Sequence, residues 1–249
     1  MSPVSRTNAQ IEGNGVTPST ALRNNQILSG LPATELSAVM ACVEEISAEL
    51  REEFFAERVE IEHVYFPLTG MASLVTVLDD GTMVEAMTIG REGFLGLALL
   101  HGAKVSGLMS MCQIEGNFLR MTSRDFLDVL DDAPELRRRL LRYSEFAHLV
   151  LAQWSACNSI HLIEQRCARW LLVTSDAVGS STFNLTQEFL SQMLSVRRPG
   201  VTAAMGGLER RGLVGHRYGK VAILDEAGLR KVSCECYGRI REKAAVLLV

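Results

Sequence analysis

The sequence predicts an α+β fold: a strand-rich half, one long helix, and a C-terminal module of short helices and a hairpin. Three observations carry this prediction. Between Glu45 and Met121 short β-leaning stretches alternate with turn residues, and no helical period is sustained. From Pro134 onward apolar residues recur in alternating steps of four and three. After Leu185 two short helical patterns, separated by a tight turn, lead into a hairpin pattern. The 249 residues make one large domain or two modest ones, long enough to build a core without disulfide or metal staples.

The elements follow in order. Residues 1–25 are polar, without the apolar core of a signal peptide, and read as a flexible tail. Residues 34–43 read as a short helix with Thr34 as N-cap after Pro32. Strands are expected at Val59–Phe66, Ala72–Leu78, Met83–Ile89, Gly107–Ile114 and Asn117–Met121, with Asp80-Gly81 the strongest hairpin signal. Many short strands with regular turns point to a sandwich or barrel. Residues 123–130 read as a short helix. Pro134 then opens the long one, at a first helical position where its missing N–H costs nothing.

Along that long helix Leu136, Leu140, Tyr143, Ala147, Val150 and Trp154 form a heptad seam. So narrow a stripe suits a dimer contact better than a core helix, and these six residues are expected to meet a second copy. A helix from about 162 to 175 follows, then a loop over 176–182 and a short strand over 183–185.

Composition excludes several classes. With 47% hydrophobic and 22% charged residues the chain is neither disordered nor fibrous. No run of about 18 apolar residues is free of charge, so no membrane span is expected and the chain reads as cytoplasmic. Cys42, Cys112, Cys157, Cys167, Cys234 and Cys236 are scattered, which suits reduced thiols. Cys157, His161 and Cys167 could approach one another on a helix, but structural zinc takes four ligands. Packing is therefore the preferred reading, with no metal and no cofactor expected. The Cys234-x-Cys236 spacing is not that of a redox CxxC pair. No Gly-x-Ser-x-Gly elbow, P-loop or HExxH is present, and nothing places Asp79 and Glu85 in one pocket, so no enzyme is expected.

Residues 185–223 are the most informative. Thr186 can cap a helix with the apolar stripe Phe189, Leu190, Met193 and Leu194. Ser195-Val196 form the turn. A second helix starts at Arg197-Arg198-Pro199, with Pro199 in its first turn, and ends before Gly212. A hairpin with the basic tip His216-Arg217-Tyr218-Gly219-Lys220 completes a winged helix-turn-helix. Such a module offers Arg197, Arg198, Gly200, Thr202 and Ala203 to a major groove. Thr186, Gln187 and Ser195 lie at the first helix and the turn, and Arg217 and Lys220 on the wing can meet phosphates. Double-stranded DNA is the expected partner. The overall charge of −4 conceals a split, for residues 1–160 carry −9 and residues 161–249 carry +5. The positive end holds the reader.

The stretch Leu185-Thr186-Gln187-Glu188-Phe189-Leu190-Ser191-Gln192-Met193-Leu194-Ser195-Val196-Arg197-Arg198, continuing to Leu208-Glu209-Arg210-Arg211-Gly212-Leu213-Val214, resembles the Crp/Fnr family of transcription regulators. The likeness extends over almost everything after the tail. It implies an N-terminal β-roll of the cyclic-nucleotide-binding-like jelly-roll kind over 26–132, a dimerisation helix over 133–160 and a winged helix-turn-helix over 161–249. It also implies transcriptional control by a homodimer on a palindromic site with half-sites about one helical turn apart. RNA polymerase is a candidate further partner.

Departures from the family pattern sharpen the reading. Relative to the cyclic-AMP branch, Arg198 matches the first recognition arginine, Pro199 replaces a Glu, and Ala203 replaces a second Arg, so the half-site should differ. The nucleotide cassette corresponds to Gly93, Phe94, Gly96 and Leu97 through Ser106, a degenerate effector pocket. Leu97 stands where the ribose-binding Glu is expected and Ser106 roughly where the phosphate-binding Arg is expected. Losing that Arg removes a charge-assisted pair worth about 1.5–3 kcal/mol, so tight cyclic-AMP binding is not expected. Only Cys42 precedes Cys112, too few thiols for the N-terminal iron–sulfur centre of the oxygen-sensing branch. His63, His101 and His148 show no haem-ligand spacing. The alternatives are an effector-independent regulator, or a protein-binding scaffold that has lost DNA binding.

Overall fold

The computed structural model describes residues 24–248. The expected tail lies outside the described residues except for its last two positions. Asn25 is in fact anchored. It is fully buried, its carboxamide donates to the carbonyls of Pro67 (3.1 Å) and Gly93 (2.9 Å), and its side-chain oxygen caps the helix α1 (Gln26–Ser29). Helix α2 spans Ala33–Met40. Its N-cap is Pro32 and not Thr34, so no side chain satisfies its first amides.

Seven strands then form two antiparallel sheets: β1 (Val43–Ala48), β2 (Glu53–Phe55), β3 (His63–Pro67), β4 (Met71–Val77), β5 (Met83–Ile89), β6 (Met109–Ile114) and β7 (Gly116–Thr122). One sheet runs β1-β7-β3, the other β2-β6-β4-β5. Phe54 of the second sheet meets Tyr65 and Phe118 of the first, with ring centroids 4.7 and 4.9 Å apart. Between β5 and β6 lies the single-turn helix α3 (Leu97–Leu100). The β-roll expectation holds, with two strands added. β1 carries Glu44 and Glu45 on an outer edge, and β2 is three residues long, so neither shows apolar alternation.

Helix α4 (Ser123–Asp132) is capped by Thr122, whose hydroxyl accepts from the Asp125 amide at 3.1 Å. Helix α5 (Pro134–Ile160) has no side-chain cap of its own. The Glu35 carboxylate reaches across from α2 and accepts from the amides of Glu135 (3.2 Å) and Leu136 (2.8 Å), satisfying two orphan donors. Helix α6 (Ile163–Val178) runs a turn into the expected loop and stops at Gly179, φ +68°. The reader follows: β8 (Thr182–Asn184), α7 (Gln187–Met193), α8 (Arg198–Arg210), β9 (Val214–Arg217), β10 (Lys220–Ile223), α9 (Glu226–Val232) and α10 (Cys236–Leu247), with its sheet ordered β8-β10-β9.

Two apolar cores result. The first fills the β-roll and the inner face of α5, and takes in Cys234, Cys236 and Ile240 from the C-terminal segment. The second unites α6, α7, α8 and the wing, and includes Met71 and Ile114 from the β-roll. Each core thus borrows from the other half of the chain, which holds the C-terminal module against the β-roll. Between them lies the buried Glu85 carboxylate, which accepts from Gln113 (2.7 Å), Ser73 (3.0 Å) and Trp170 (3.3 Å). Asp79, by contrast, is exposed in the β4–β5 turn. No helix among the described residues is long and apolar enough to cross a membrane.

Candidate nucleic-acid interface

The reader is built on apolar spacing. Thr186 accepts from the Phe189 amide at 3.1 Å and starts α7, which buries Phe189, Leu190 and Met193. The chain turns at Ser195, whose φ of +51° is the left-handed conformation a tight reversal needs. Helix α8 then buries Val201, Ala204, Met205 and Leu208, one stripe at helical spacing. Burying that stripe leaves Arg197, Arg198, Pro199, Thr202 and Ala203 exposed together at the helix start, with Gly200 beside them. The Thr202 hydroxyl donates to the Gln187 side chain at 2.8 Å and ties the two helices together.

The electrostatics of this face are distinctive. Arg197, Arg198, Arg217 and Lys220 form no ion pair and no side-chain hydrogen bond among the described residues, whereas Arg211 and Arg230 are held by Glu164 and Glu226. Arg197 and Arg198 sit at the start of α8, where the first amides of a helix have no partner within it, an arrangement suited to phosphate oxygens. In the wing, Arg217 pairs with Lys220 across a two-residue turn in which Tyr218 (φ +50°) and Gly219 (φ +74°) both have positive φ. The Tyr218 ring is fully exposed at the tip. Sequence reasoning placed Tyr218 in the basic tip without a role. A bulky residue where Asn or Gly is usual was the available signal.

The sensor cassette has the opposite character. A Cβ on Gly93 would lie 2.2 Å from the Tyr143 ring, so that ring occupies the space beside the glycine. Phe94 stacks between Phe66, Phe126 and Tyr143, with centroids 5.7–5.8 Å apart. Gly96 (φ +133°) caps α3, Leu97 is half-buried, and the buried Ser106 hydroxyl accepts from the Leu108 amide at 3.1 Å. These five residues pack and cap. A cavity of about 370 Å³ lies elsewhere, bordered by Trp154, Asp176, Tyr237 and Arg241, and none of the five lines it.

The dimer seam requires correction. Leu136, Leu140, Tyr143, Ala147, Val150 and Trp154 are all buried within the chain's own core, 0–6% exposed. The heptad stripe is the face α5 turns to its own β-roll, because the β-roll presents an apolar wall to pack on. The outward face carries Leu141, His148, Leu151 and Ser155 instead. The cysteine reading changes too. Cys167 lies in the second core, while Cys234 and Cys236, remote in sequence, join Cys157 and His161. The ligand-forming atoms of those four all lie within 4.8 Å of one another. No local spacing could have announced that cluster. His63, His101 and His148 are half-buried, exposed and exposed respectively.

Residues 165–232 match the Crp-like helix-turn-helix domain. The fold as a whole is similar to a CRP-family transcriptional regulator from Thermus thermophilus, at 19% identity and TM-score 0.63, covering 76% of this chain and 96% of that one. It is also similar to CLP of Xanthomonas campestris, a c-di-GMP responsive global regulator, at 14% identity and TM-score 0.62, covering 77% and 99%. FixK2 from Bradyrhizobium japonicum matches at 16% identity and TM-score 0.58, covering 77% and 98%. No curated protein matches by sequence.

Proposed function

We propose that this chain, which carries a Crp-like helix-turn-helix domain on the fold of Crp/Fnr regulators, is a sequence-specific DNA-binding transcription regulator. It acts as a homodimer on a palindromic site and does not respond to cyclic AMP. The observation that carries this reading is the basic start of α8 and the basic wing, both exposed and without ion pairs among the described residues. Arg197 and Arg198 reach phosphates or guanine edges, Thr202 faces the groove, and the small Gly200 and Ala203 admit close approach. Thr186, Gln187 and Ser195 approach the flanking backbone, and Arg217, Tyr218 and Lys220 grip it from the wing.

Dimerisation uses the outward face of α5, where Leu141 and Leu151 are 48% and 37% exposed. The Tyr143 ring beside Gly93, with Leu97 and Ser106 in place of charged partners, supports the lack of a cyclic-AMP response. RNA polymerase is the further partner in this reading. Selection of random duplex DNA with the purified protein tests it. Enrichment of a two-fold symmetric site, with affinity falling steeply as salt rises, is expected. Recovery of no sequence leaves a scaffold without DNA binding. In ultracentrifugation Leu141→Glu with Leu151→Glu should yield monomers, and an intact dimer would refute the outward-face contact. Micromolar cyclic-AMP binding by calorimetry would refute the pocket argument.

A further inference from the structure

Four soft or borderline ligands converge where the two halves of the molecule join. Cys157 lies in the last turn of α5, and His161, one helical turn on, is its C-cap in the hinge before α6. Cys234 lies in the connector after α9, and Cys236 is the first residue of α10, which packs along α5. The Cys157 and Cys234 sulfurs are 3.5 Å apart, and the Cys236 sulfur is 3.6 Å from His161 Nδ1. A tetrahedral zinc ion with metal–sulfur bonds near 2.3 Å has ligand edges of about 3.8 Å. The four atoms, all within 4.8 Å of one another, already stand near those edges. So compact a set holds one ion and leaves no room for a multi-iron cluster.

Two independent observations support a metal. The other imidazole nitrogen, Nε2, is 3.1 Å from the Glu235 carboxylate, the partner that orients a metal-binding histidine and fixes Nδ1 as the ligand atom. The buried Arg169 guanidinium lies over the Trp154 ring at 3.8 Å, makes no ion pair among the described residues, and leaves its Nε without a hydrogen-bond partner. Three thiolates and a neutral imidazole around a divalent ion carry a net charge of −1, which a buried cation next to Cys157 balances.

We propose that Cys157, His161, Cys234 and Cys236 bind one zinc ion in a tetrahedral Cys3His site that pins the C-terminal helix to the hinge between sensor and reader. Each thiol that is still protonated releases its proton to solvent as its sulfur–zinc bond forms, and no redox step is involved. All four positions are filled by protein, the mark of a structural site rather than a catalytic one. The ion would clamp the end of α5 to the segment that follows the wing, and so set how the reader sits on the sensor. The site stands whether or not the chain reads DNA, because its test measures metal alone.

The full chain, purified under reducing conditions without chelator, should contain one zinc per protomer by elemental analysis. Replacing zinc with cobalt(II) should produce the visible bands of a tetrahedral ion and a sulfur-to-cobalt charge-transfer band. Cys157→Ser and Cys236→Ser should lose that spectrum, and Cys42→Ser, outside the cluster, should keep it. Because the buried cysteine variants can fail to fold, Glu235→Gln is the decisive partner. Glu235 is exposed, and its loss should weaken zinc binding about 10–100-fold, by competition with a chromophoric chelator, with circular dichroism unchanged. A chain that takes up no stoichiometric zinc overturns the proposal. So does cobalt bound without the sulfur band, a Glu235→Gln protein that binds as tightly as the parent, or oxidation to a Cys157–Cys234 disulfide as the only chemistry at the cluster.

Discussion

The Gly93–Leu97 cassette and the start of α8 both place a glycine at the beginning of a helix, yet they use their side chains in opposite ways. Around Gly93 the side chains are turned inward. Phe94 and Tyr143 fill the space, Ser106 serves a backbone amide, and the Tyr143 hydroxyl is buried without a hydrogen-bond partner among the described residues. At the start of α8 the apolar residues are spent inward, and Arg197 and Arg198 have no side-chain partner among the described residues. The contrast teaches that a binding surface is recognised by polar groups the fold does not use. A glycine loop crowded by aromatic rings has become part of the core.

Mutations can break this contrast, and the largest effect should come from the cassette. Phe94→Ala empties a site with no solvent exposure and should cost about 3–5 kcal/mol of stability in chemical denaturation. A loss under about 1 kcal/mol would mean the cassette is an open pocket after all. Arg198→Ala should leave stability unchanged and cost about 1–3 kcal/mol of DNA affinity. Loss of preference at one base position would mark guanine reading, and a uniform loss would mark a phosphate contact.

Thr186→Ala removes the α7 cap and should lower stability by about 1 kcal/mol, read as a shifted thermal midpoint. The gentlest effect is a slope. Burial pushes the Glu85 carboxyl above its ordinary range, against hydrogen bonds from Gln113, Ser73 and Trp170 and the pull of Arg169. Stability from the neutral carboxyl is therefore complete below the unfolded value near 4.5 and is lost as pH rises through the folded value. The parent and Glu85→Gln should melt alike in acid, and the parent should fall below Glu85→Gln as pH rises towards neutral. A parent that instead gains on Glu85→Gln as pH rises would place a stabilised, ionised Glu85 at the junction.

Much of the architecture was legible because it depends on local rules. Strands β3 to β7 announced themselves as short β-leaning stretches between turn residues, Asp80-Gly81 above all, and α7 through its threonine cap. The exposed basic face of α8 was legible too, since a buried stripe at helical spacing leaves only one face for Arg197, Arg198 and Thr202. What failed depended on distant neighbours. The α5 heptad stripe is apolar whether it meets a partner or a β-roll, and the pattern alone does not say which. Glu35 capping α5 spans about a hundred residues, and the Cys157–Cys234 approach spans 77.

The sequence by itself thus determined the order of the parts, the strand-rich half, the long helix, the reader and its charge. These follow from periodicity, turn chemistry and capping over a few residues. The tertiary structure alone decided which face of α5 is inside, that aromatic rings crowd the cassette, and that three cysteines and a histidine meet at the hinge. Each of these is settled by which surfaces the folded chain brings within a few ångströms, and contact between segments far apart leaves no periodic trace along the chain.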